Sequence, residues 1–419
     1  MQPQLSDFVS NASCMDDYDP NAMSVTQARH YIQQFLSPVS ETETIVLKES
    51  LGRVLAVPVI SGMNVPGYNN SAMDGFAFRH AEAGNPLKVI GTAFAGIPFT
   101  SDIPAGCCIK IMTGAVIPPI VDTVIMQEHT SIEGELVTLV KLPAIGTNIR
   151  LTGEDIAVGQ TVLTLGHRIE PADMGLLASL GIGEIEVYRR LKVAFFSTGD
   201  ELVSIGMPLQ QGQIYDSNRY SLWGVLQAIG VSVTDLGNVA DVPAALEKIL
   251  LEASENYDVV ITSGGVSVGE ADFMKQLLAK HGQVLFWKIN MKPGRPLAYG
   301  KIGAAHYFGL PGNPVSAMVT FYQFVQEALK TMMGAANLTP PSFQVECVNA
   351  IKKATGRTEF QRGILFKEGE TWKVKTTGEQ GSGILSSMSR ANCFIVLNEQ
   401  TGALDAGKMV EVQPFHGVC

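Results

Sequence analysis

A glycine-rich run follows an apolar strand near the middle of the chain. Residues 258–262 (DVVIT) lead into SGGVSVGEADF, where a helix is predicted to begin. Glycines after a parallel strand let backbone N–H groups approach an anion, and the helix N-terminus adds partial positive charge. The residues predicted to bind a phosphate-type ligand here are Ser263, Gly264, Gly265, Ser267 and Gly269. The run has no Walker lysine, which excludes a P-loop hydrolase site, and a tight turn without ligand stays the alternative for this loop alone.

Basic residues concentrate between positions 273 and 326, although the formal net charge is −10. This stretch has no Asp or Glu, and Lys288, Lys292 and Arg295 fall within FWKINMKPGRP. Pro and Gly restrict the backbone there, so the cations are expected on a rigid turn suited to a multiply charged anion. A solvated basic face is the alternative, and the interleaved Trp, Pro and Gly argue against it.

Four carboxylates fall at predicted strand ends and loops. They are Asp200, Glu201, Asp241 and Asp272. Near cations and a phosphate-type ligand, such groups favour Mg²⁺ held by one or two carboxylates together with substrate oxygens. For each alone, helix capping or solvation is the alternative, and Asp241 is also predicted to cap a helix over 242–254.

A third loop ends a strand and begins a helix predicted over 315–333. Its residues are Pro311, Gly312, Asn313 and Pro314, and the last two fit a helix start. Two further carboxylates, Asp74 and Asp155, lie in turns rich in Gly and Asn. By themselves these segments indicate a capped loop and two turn-forming residues.

The surrounding elements predict a multidomain protein of α/β and β-rich parts. Strands and helices alternate over about 191–333, which favours a central Rossmann-like α/β domain with a parallel-rich sheet, flanked by β-rich domains. Helices are also predicted over 24–36, with Ser24 as N-cap, and over 171–180. The predicted division is an extension 1–20, a linker domain 21–60 plus 159–181, a β-rich domain 61–158, an α/β domain 182–338 and a C-terminal β-barrel 339–419.

Composition narrows the class of protein. The 419 residues are 46% hydrophobic and 17% charged, which is typical of a globular chain with several cores. The acidic balance disfavours nucleic-acid binding, and the absence of an 18-residue apolar run disfavours a membrane span. The six cysteines form no C-x-x-C pair, so neither a disulfide framework nor a zinc site is expected. A cytoplasmic protein is the simplest interpretation, since residues 1–20 do not match a secretory signal.

Ten segments, in order from about Pro66 to Leu397, resemble the molybdopterin molybdenumtransferase (MoeA) family, also seen in the E domain of gephyrin. They are PGYNNSAMDGFA, IMTGA, GEDI, STGDEL, GQIYDSN, SGGVSVGEADF, FWKINMKPGRP, GLPGNPVSA, EFQRG and NCFIVL. The resemblance spans nearly the whole chain beyond the N-terminal extension. Ten ordered matches are far more specific than one glycine motif.

This resemblance implies an elongated homodimer of four-domain subunits, whose cleft combines the α/β domain of one copy with the β-rich domain of the other. The family's catalytic positions then fall on Asp74, Thr113, Asp155, Glu201, Asp241, Asp272, Lys288, Lys292, Pro311 and Pro314. Arg362 and Ser382 are expected near an oxyanion pocket. The chain has Arg295 where the family often has lysine, which keeps the charge but offers a planar fork of donors.

The predicted function is insertion of molybdate into adenylylated molybdopterin, with release of AMP and formation of molybdenum cofactor. Mg²⁺ is the expected cofactor, on Glu201, Asp241 and Asp272. The expected partners are a second copy, the adenylyltransferase that supplies the substrate, and acceptors on the molybdoenzyme side. Two alternatives stay open: a molybdopterin adenylyltransferase, and a non-enzymatic scaffold of the gephyrin kind.

Overall fold

The computed structural model describes residues 22–265, 271–336 and 339–415, excluding the side chains of 271–275 and 285–287. The predicted extension 1–20, Ser267, Gly269 and the side chain of Asp272 therefore lie outside the described part. The chain divides into two compact units. The small unit comprises Thr44–Leu51 and Leu55–Glu186, and the large unit comprises the chain up to Glu43, Gly52–Val54 and the chain from Val187 onward.

Helix α1, Val25–Gln34, begins where the sequence predicts, after the capping residue Ser24. The Ser24 hydroxyl accepts a hydrogen bond from Gln27 N–H at 3.2 Å, and Gln27 Oε1 accepts one from Ser24 N–H at 3.0 Å. This capping box satisfies two otherwise unpaired donors. Ala28 and Ile32 on the apolar face are buried in the core of the large unit.

The small unit is formed mainly by short strands, as the alternating β-rich runs and turns predict. Its largest sheet has the order β7–β4–β6–β5–β9–β8, and only β5 and β6 pair in parallel. Alternate residues of β6 enter two separate cores, Cys108 on one face and Ile109 on the other. The elements from Thr42 to Tyr188 are β1 (Thr42–Val46), β2 (Val59–Ile60), β3 (Asn70–Ser71), β4 (Gly75–Phe78), β5 (Leu87–Ala93), β6 (Cys107–Ile111), β7 (Thr123–Met126), β8 (Thr130–Glu133), β9 (Leu136–Leu139), β10 (Ile149–Arg150), β11 (Thr161–Leu163), α2 (Pro171–Ser179) and β12 (Glu184–Tyr188), with short 3₁₀ turns at Leu47–Glu49, His80–Glu82 and Gln127–His129.

The large unit contains a mixed six-stranded sheet of order β16–β13–β17–β21–β20–β18. The first four strands are parallel and the last two antiparallel. Strands β17 and β21 are buried along their whole length, as is usual for central strands of a parallel sheet that is covered on both faces. The elements are β13 (Lys192–Thr198), β14 (Leu202–Val203), β15 (Ile214–Tyr215), α3 (Ser217–Ile229), β16 (Ser232–Val239), α4 (Pro243–Asn256), β17 (Val259–Ser263), α5 (Ala271–His281), β18 (Gly282–Lys288), β19 (Met291–Lys292), β20 (Pro296–Ile302) and β21 (Ala305–Leu310).

The predicted role of Asp241 as a helix cap is wrong. Helix α4 has Val242 at its N-cap position and Pro243 in its first turn, with no side-chain cap. Asp241 instead accepts a hydrogen bond from the Thr198 hydroxyl at the end of β13. A tertiary contact therefore takes the carboxylate away from the helix terminus that follows it in sequence.

The helix predicted over 315–333 is present but contains a change of pitch. It begins with α6 (Pro314–Thr320), after Asn313 at the N-cap, passes through a π-helical turn (Phe321–Val325) and ends as α7 (Gln326–Met332). The first turn uses proline where its missing N–H costs nothing, as predicted. π-Helical turns occur frequently at functional sites.

The C-terminal strands form a closed ring. Pairings run β23–β24–β22–β26–β25 and return from β25 to β23, so a five-stranded barrel results. The short strand β19 of the preceding α/β region adds to β23 in parallel. The elements are β22 (Phe343–Cys347), β23 (Thr358–Glu368), β24 (Thr371–Thr376), α8 (Leu385–Arg390), β25 (Cys393–Leu397) and β26 (Lys408–Pro414).

Protonation of His306 is expected to destabilise the large unit. Its side chain is 5% exposed on β21, and burial, reinforced by the charge of Lys301, lowers its pKa from 6.5 to about 4. The folded form resists protonation of His306. The contribution of the neutral side chain to the free energy of unfolding is therefore fully present above pH 6.5, and it is lost as the pH drops from 6.5 towards 4. The loss attributable to this group is on the order of 3 kcal/mol.

Urea unfolding of the wild type and of His306→Gln at pH 7.5, 5.5 and 4.5 measures this contribution. The variant should show a flatter dependence on pH than the wild type. His30→Gln, at an exposed position of α1, is the matched control. Equal pH dependence for wild type and His306→Gln would contradict the assignment.

Candidate functional site

The ends of three parallel strands pack closely at one edge of the large unit's sheet. Gly264, just after β17, donates its N–H to Leu310 O of β21 at 3.1 Å. Its φ is +94°, and a Cβ at this position would overlap the Thr198 carbonyl oxygen of β13. A Cβ on Gly312 would lie 3.9 Å from Gly264 Cα. Only a residue without a side chain fits at position 264, so the predicted glycine loop begins at a close approach of backbones.

One asparagine connects two of the predicted binding loops. The Nδ2 of Asn218 on α3 donates to Ser263 Oγ at 2.8 Å and to Gly312 O at 2.7 Å. Asn218 is 8% exposed and Ser263 is 2% exposed. The structure therefore brings together the predicted residues Ser263 and Gly264 of the first loop and Gly312 of the second, in which Pro311 directly precedes Gly312.

Glu201 follows β13, and Asp241 follows the neighbouring strand β16 and contacts the end of β13. The Glu201 carboxylate is so close to Gly199 that a Cβ there would lie 2.6 Å from Glu201 Oε2, and Asp241 accepts from the Thr198 hydroxyl. Among residues 22–265, 271–336 and 339–415, no group of three or more His, Cys, Asp and Glu is arranged to hold a metal ion. Carboxylate oxygens are the protein ligands that Mg²⁺ accepts, usually one or two together with water and substrate oxygens. Asp200 is exposed.

The basic turn that contains Lys292 packs against α6. Gly294 has φ +92°, and a Cβ there would lie 2.5 Å from Thr320 Oγ1 and 3.3 Å from Ser316 O. The Nζ of Lys292 lies 3.6 Å from Glu359 Oε1, and Glu359 is buried. Lys288 lies at the end of β18, paired with Pro296, which follows Arg295. The turn is therefore fixed by packing and by a barrel carboxylate, as the Pro and Gly content predicts.

Arg362 is a fully buried cation on barrel strand β23. Its Nε donates to Ser387 Oγ at 3.0 Å and its Nη2 to Gly381 O at 3.1 Å. Its side-chain hydrogen bonds thus go to neutral groups, and burial lowers its pKa to about 10, a shift that the charge of Glu359 on the same strand partly offsets. A buried guanidinium whose hydrogen bonds go to neutral groups is suited to receive an anion, because an anion adds charge-assisted hydrogen bonds that these groups do not.

The loop around Ser382 brings this arginine to the start of α6. Ser382 O accepts from Val315 N–H at 3.1 Å, next to Pro314, while the adjacent Gly381 O accepts from Arg362. The two residues expected from the family resemblance near an oxyanion pocket, Arg362 and Ser382, therefore lie close to the predicted Asn313–Pro314 helix start.

Three predicted residues belong to the small unit. Asp74 Oδ1 accepts from both the backbone N–H and the hydroxyl of Thr113, each at 2.7 Å. The hydroxyl bond, followed by the backbone bond, lowers the pKa of Asp74. Asp155 donates its backbone N–H to Val65 O at 3.1 Å and its side chain is exposed. The structure thus joins Asp74 with Thr113.

Sequence reasoning did not single out Asn218, Glu359 or Ser387. Their partners are distant along the chain, up to 94 residues for Asn218 and 25 for Ser387. Asn218 and Glu359 fall within GQIYDSN and EFQRG, two of the segments that resemble the family. The resemblance therefore indicated these segments, but it did not indicate which side chains make contacts.

Family profiles match three successive regions. Residues 23–181 match the MoeA N-terminal region (domain I and II), residues 194–331 the "probable molybdopterin binding domain", and residues 344–415 the MoeA C-terminal region (domain IV). A protein of Haemophilus influenzae named molybdopterin molybdenumtransferase is 46% identical over 400 residues, covering 94% of this chain and 99% of its own. This chain belongs to the molybdopterin molybdenumtransferase (MoeA) family.

Other members of the MoeA family and a solved structure agree with this assignment. A molybdopterin molybdenumtransferase of Nostoc sp. is 35% identical over 390 residues, covering 90% of this chain and 89% of its own. The gephyrin of Dictyostelium discoideum is 34% identical over 425 residues, covering 89% of this chain and 59% of its own. The crystal structure of the molybdopterin biosynthesis moeA protein from Pyrococcus horikoshii superposes with a TM-score of 0.82 at 28% identity, covering 94% of this chain and 100% of its own. The multidomain fold is thus the MoeA fold.

Of the helices in the described part, none has both the length and the apolar character that crossing a bilayer requires.

Gly264→Ala is expected to destabilise the protein by more than its backbone angle alone accounts for. A left-handed alanine costs about 1 kcal/mol, and overlap with the Thr198 carbonyl adds about 1–3 kcal/mol. Gly206→Ala is the matched control, because Gly206 has φ +87° but open space around it. Urea unfolding of both variants gives the comparison. Equal losses of stability would show that the close approach at position 264 is unimportant.

Thr113→Val is expected to raise the pKa of Asp74 towards its ordinary value, because it removes the hydroxyl donor while preserving shape. Thr113→Ser retains the donor and should leave the pKa low. The Asp74 carboxyl resonance, followed by NMR through an acid titration, measures both. An unchanged midpoint in Thr113→Val would mean that the backbone N–H alone sets the pKa.

Proposed function

We propose that this protein transfers molybdenum from molybdate to adenylylated molybdopterin and releases AMP. Membership of the MoeA family supports the class of reaction, and relatives carry the corresponding name. The structural observation that carries the proposal furthest is the buried Arg362 guanidinium, whose side-chain hydrogen bonds go to the neutral Ser387 hydroxyl and Gly381 carbonyl. Molybdate is a dianion of tetrahedral oxygens, and such a cation can bind it with charge-assisted hydrogen bonds.

The adenylate part of the substrate is proposed to bind at the ends of β13, β17 and β21. Open α/β sheets bind ligands beyond the carboxyl ends of their parallel strands, as Rossmann-like domains do. The glycines found at this edge would let the backbone approach a phosphate closely. Ser263, Gly264 and Gly265 begin this binding loop, and Gly312 and Asn313 flank it. Ser267 and Gly269 complete the predicted loop.

Lys288, Lys292 and Arg295 are proposed to bind the anionic groups of the substrates. Lys292 is 59% exposed in its side chain, yet its ammonium lies beside the buried Glu359. A cation fixed in this way loses less conformational entropy on binding than one on a mobile side chain. Arg295 offers two parallel donors to an oxyanion, which a lysine at that position does not.

Glu201, Asp241 and Asp272 are proposed to hold Mg²⁺ together with phosphate oxygens of the substrate. The ion would supply charge neutralisation at the phosphoanhydride. These residues also suit orientation of the water that hydrolyses the anhydride to AMP and the terminal phosphate of the cofactor. The dithiolene sulfurs of the substrate bind molybdenum, and one displaced oxide leaves as water with the two thiol protons.

Asp74, Thr113 and Asp155 are proposed as further catalytic residues, in agreement with the family positions. Asp74 is held in its ionised form by Thr113, which suits a residue that accepts hydrogen bonds or binds cationic groups. The proposal includes a homodimer, as the family resemblance implies, and delivery of substrate by a molybdopterin adenylyltransferase.

The deciding experiment is AMP release from adenylylated molybdopterin, measured with and without molybdate and Mg²⁺. Wild type should release AMP only when molybdate is present. Lys292→Ala should lose about 100-fold or more in activity, since misplacement of a bound reactant has effects of that size. Lys408→Ala, at an exposed barrel position, is the matched control and should behave as wild type.

Each other outcome favours a different function. Formation of adenylylated molybdopterin from ATP and molybdopterin would favour an adenylyltransferase. Absence of AMP release by folded wild type, together with capture of a receptor segment, would favour a scaffold. Normal molybdenum insertion by Lys292→Ala would overturn the role given to the basic turn.

A further inference from the structure

Asn218 uses both hydrogens of its side-chain amide to join the two loops that flank the strand ends. One hydrogen bonds Ser263 Oγ at 2.8 Å and the other bonds Gly312 O at 2.7 Å. The bond to Ser263 is buried, since Asn218 is 8% and Ser263 2% exposed, and the bond to Gly312 is partly buried. Loss of a buried donor leaves its acceptor without a partner, which costs more than an exposed hydrogen bond.

The helix that carries Asn218 is itself fixed at this end. Asp216 caps α3 by accepting the Arg219 N–H at 3.1 Å, and Asp216 is 4% exposed. Arg219 in turn donates from Nε to Asp235 Oδ2 of β16 at 2.6 Å. Leu222 and Leu226, one and two turns further on, are buried in the core. The amide of Asn218 is therefore held from the cap, from the neighbouring strand and from the core.

We propose that Asn218 is a positioning residue that sets the spacing of the glycine loop and the Pro311–Pro314 loop. This inference rests on the proposed function, because it assigns these loops to the adenylate part of the substrate. A Cβ on Gly312 would lie 3.9 Å from Gly264 Cα, so the two loops are neighbours and a change in their separation changes the width of the binding edge.

The side-chain type follows from this role. Asparagine offers two donors on one planar group, and both acceptors here are oxygens. Aspartate has the same shape but no donor when ionised, and it would place a carboxylate against the Gly312 carbonyl. Serine offers a single donor on a shorter side chain, so it cannot join both loops.

The experiment compares Asn218→Ala, Asn218→Asp and Ser263→Ala with wild type. Amide hydrogen exchange of the segments around residues 259–265 and 308–316 reports loop order without any substrate. Binding of AMP, measured by calorimetry, and kcat and KM for adenylylated molybdopterin report the site. Asn256→Ala is the matched control, because Asn256 donates from Nδ2 to Glu252 O on an exposed face of α4.

Both Asn218 variants should exchange faster in both segments, whereas Ser263→Ala should affect only the first. We expect AMP affinity to fall about tenfold in Asn218→Ala, and kcat/KM to fall about 100-fold, the size of effect that small displacements of reactants produce. Addition of Ser263→Ala to Asn218→Ala should cause little further loss, because the shared bond is already absent. Asn256→Ala should match wild type throughout.

Wild-type exchange in both segments of Asn218→Asp and Ser263→Ala, with unchanged AMP affinity, would overturn the inference. If Asn218→Ala does not fold, these two variants decide the question. Failure of the proposed function would be visible separately, as absence of AMP release by wild type, and it would leave the exchange result of the variants unaffected.

Discussion

The close approach of Gly264 to the Thr198 carbonyl is the constraint on which the candidate site depends. Parallel register places the ends of β13, β17 and β21 side by side, and the absence of a side chain at 264 lets them meet. Several polar groups then act at this edge: Asn218 spans two loops, and the Thr198 hydroxyl binds Asp241. The position of the site thus follows from the register of the parallel strands, which fixes the backbone around which these side chains lie.

Two cationic side chains of the candidate site, Arg362 and Lys292, lie in an otherwise acidic protein. The chain has a net charge of −10, yet Arg362 is buried with neutral hydrogen-bond partners, and the Lys292 ammonium lies 3.6 Å from a carboxylate oxygen of Glu359. Low solvent exposure strengthens the attraction of Arg362 for an anion, since less water screens it. Electrostatic selection therefore depends on a few placed residues and not on the overall charge.

The sequence was most informative where local chemistry determines structure. Ser24 and Pro314 mark helix starts, and the alternation of strands and helices predicted from about 191 begins with the strand Lys192–Thr198. Prediction failed for Asp241, because Thr198, 43 residues away, competes for its carboxylate. The contacts of Asn218 and the closure of the barrel through β23 and β25 also depend on distant segments. The family resemblance indicated Arg362 and Ser382. Only the fold shows that the loop containing Gly381 and Ser382 contacts both Arg362 and the start of α6.

The pairing of β19 with β23 limits how this protein can be divided or recombined. Met291 and Lys292 lie in register with Thr358 and Glu359, and Thr358 N–H donates to Asn290 O at 3.1 Å. A gene fragment encoding only the C-terminal strands would therefore leave part of the β23 edge bare, and bare edges promote association with other chains. Exchange of the barrel between relatives would have to bring the basic turn with it. The turn and the barrel are thus one structural unit at this edge, although residues 293–357 separate β19 from β23 along the chain.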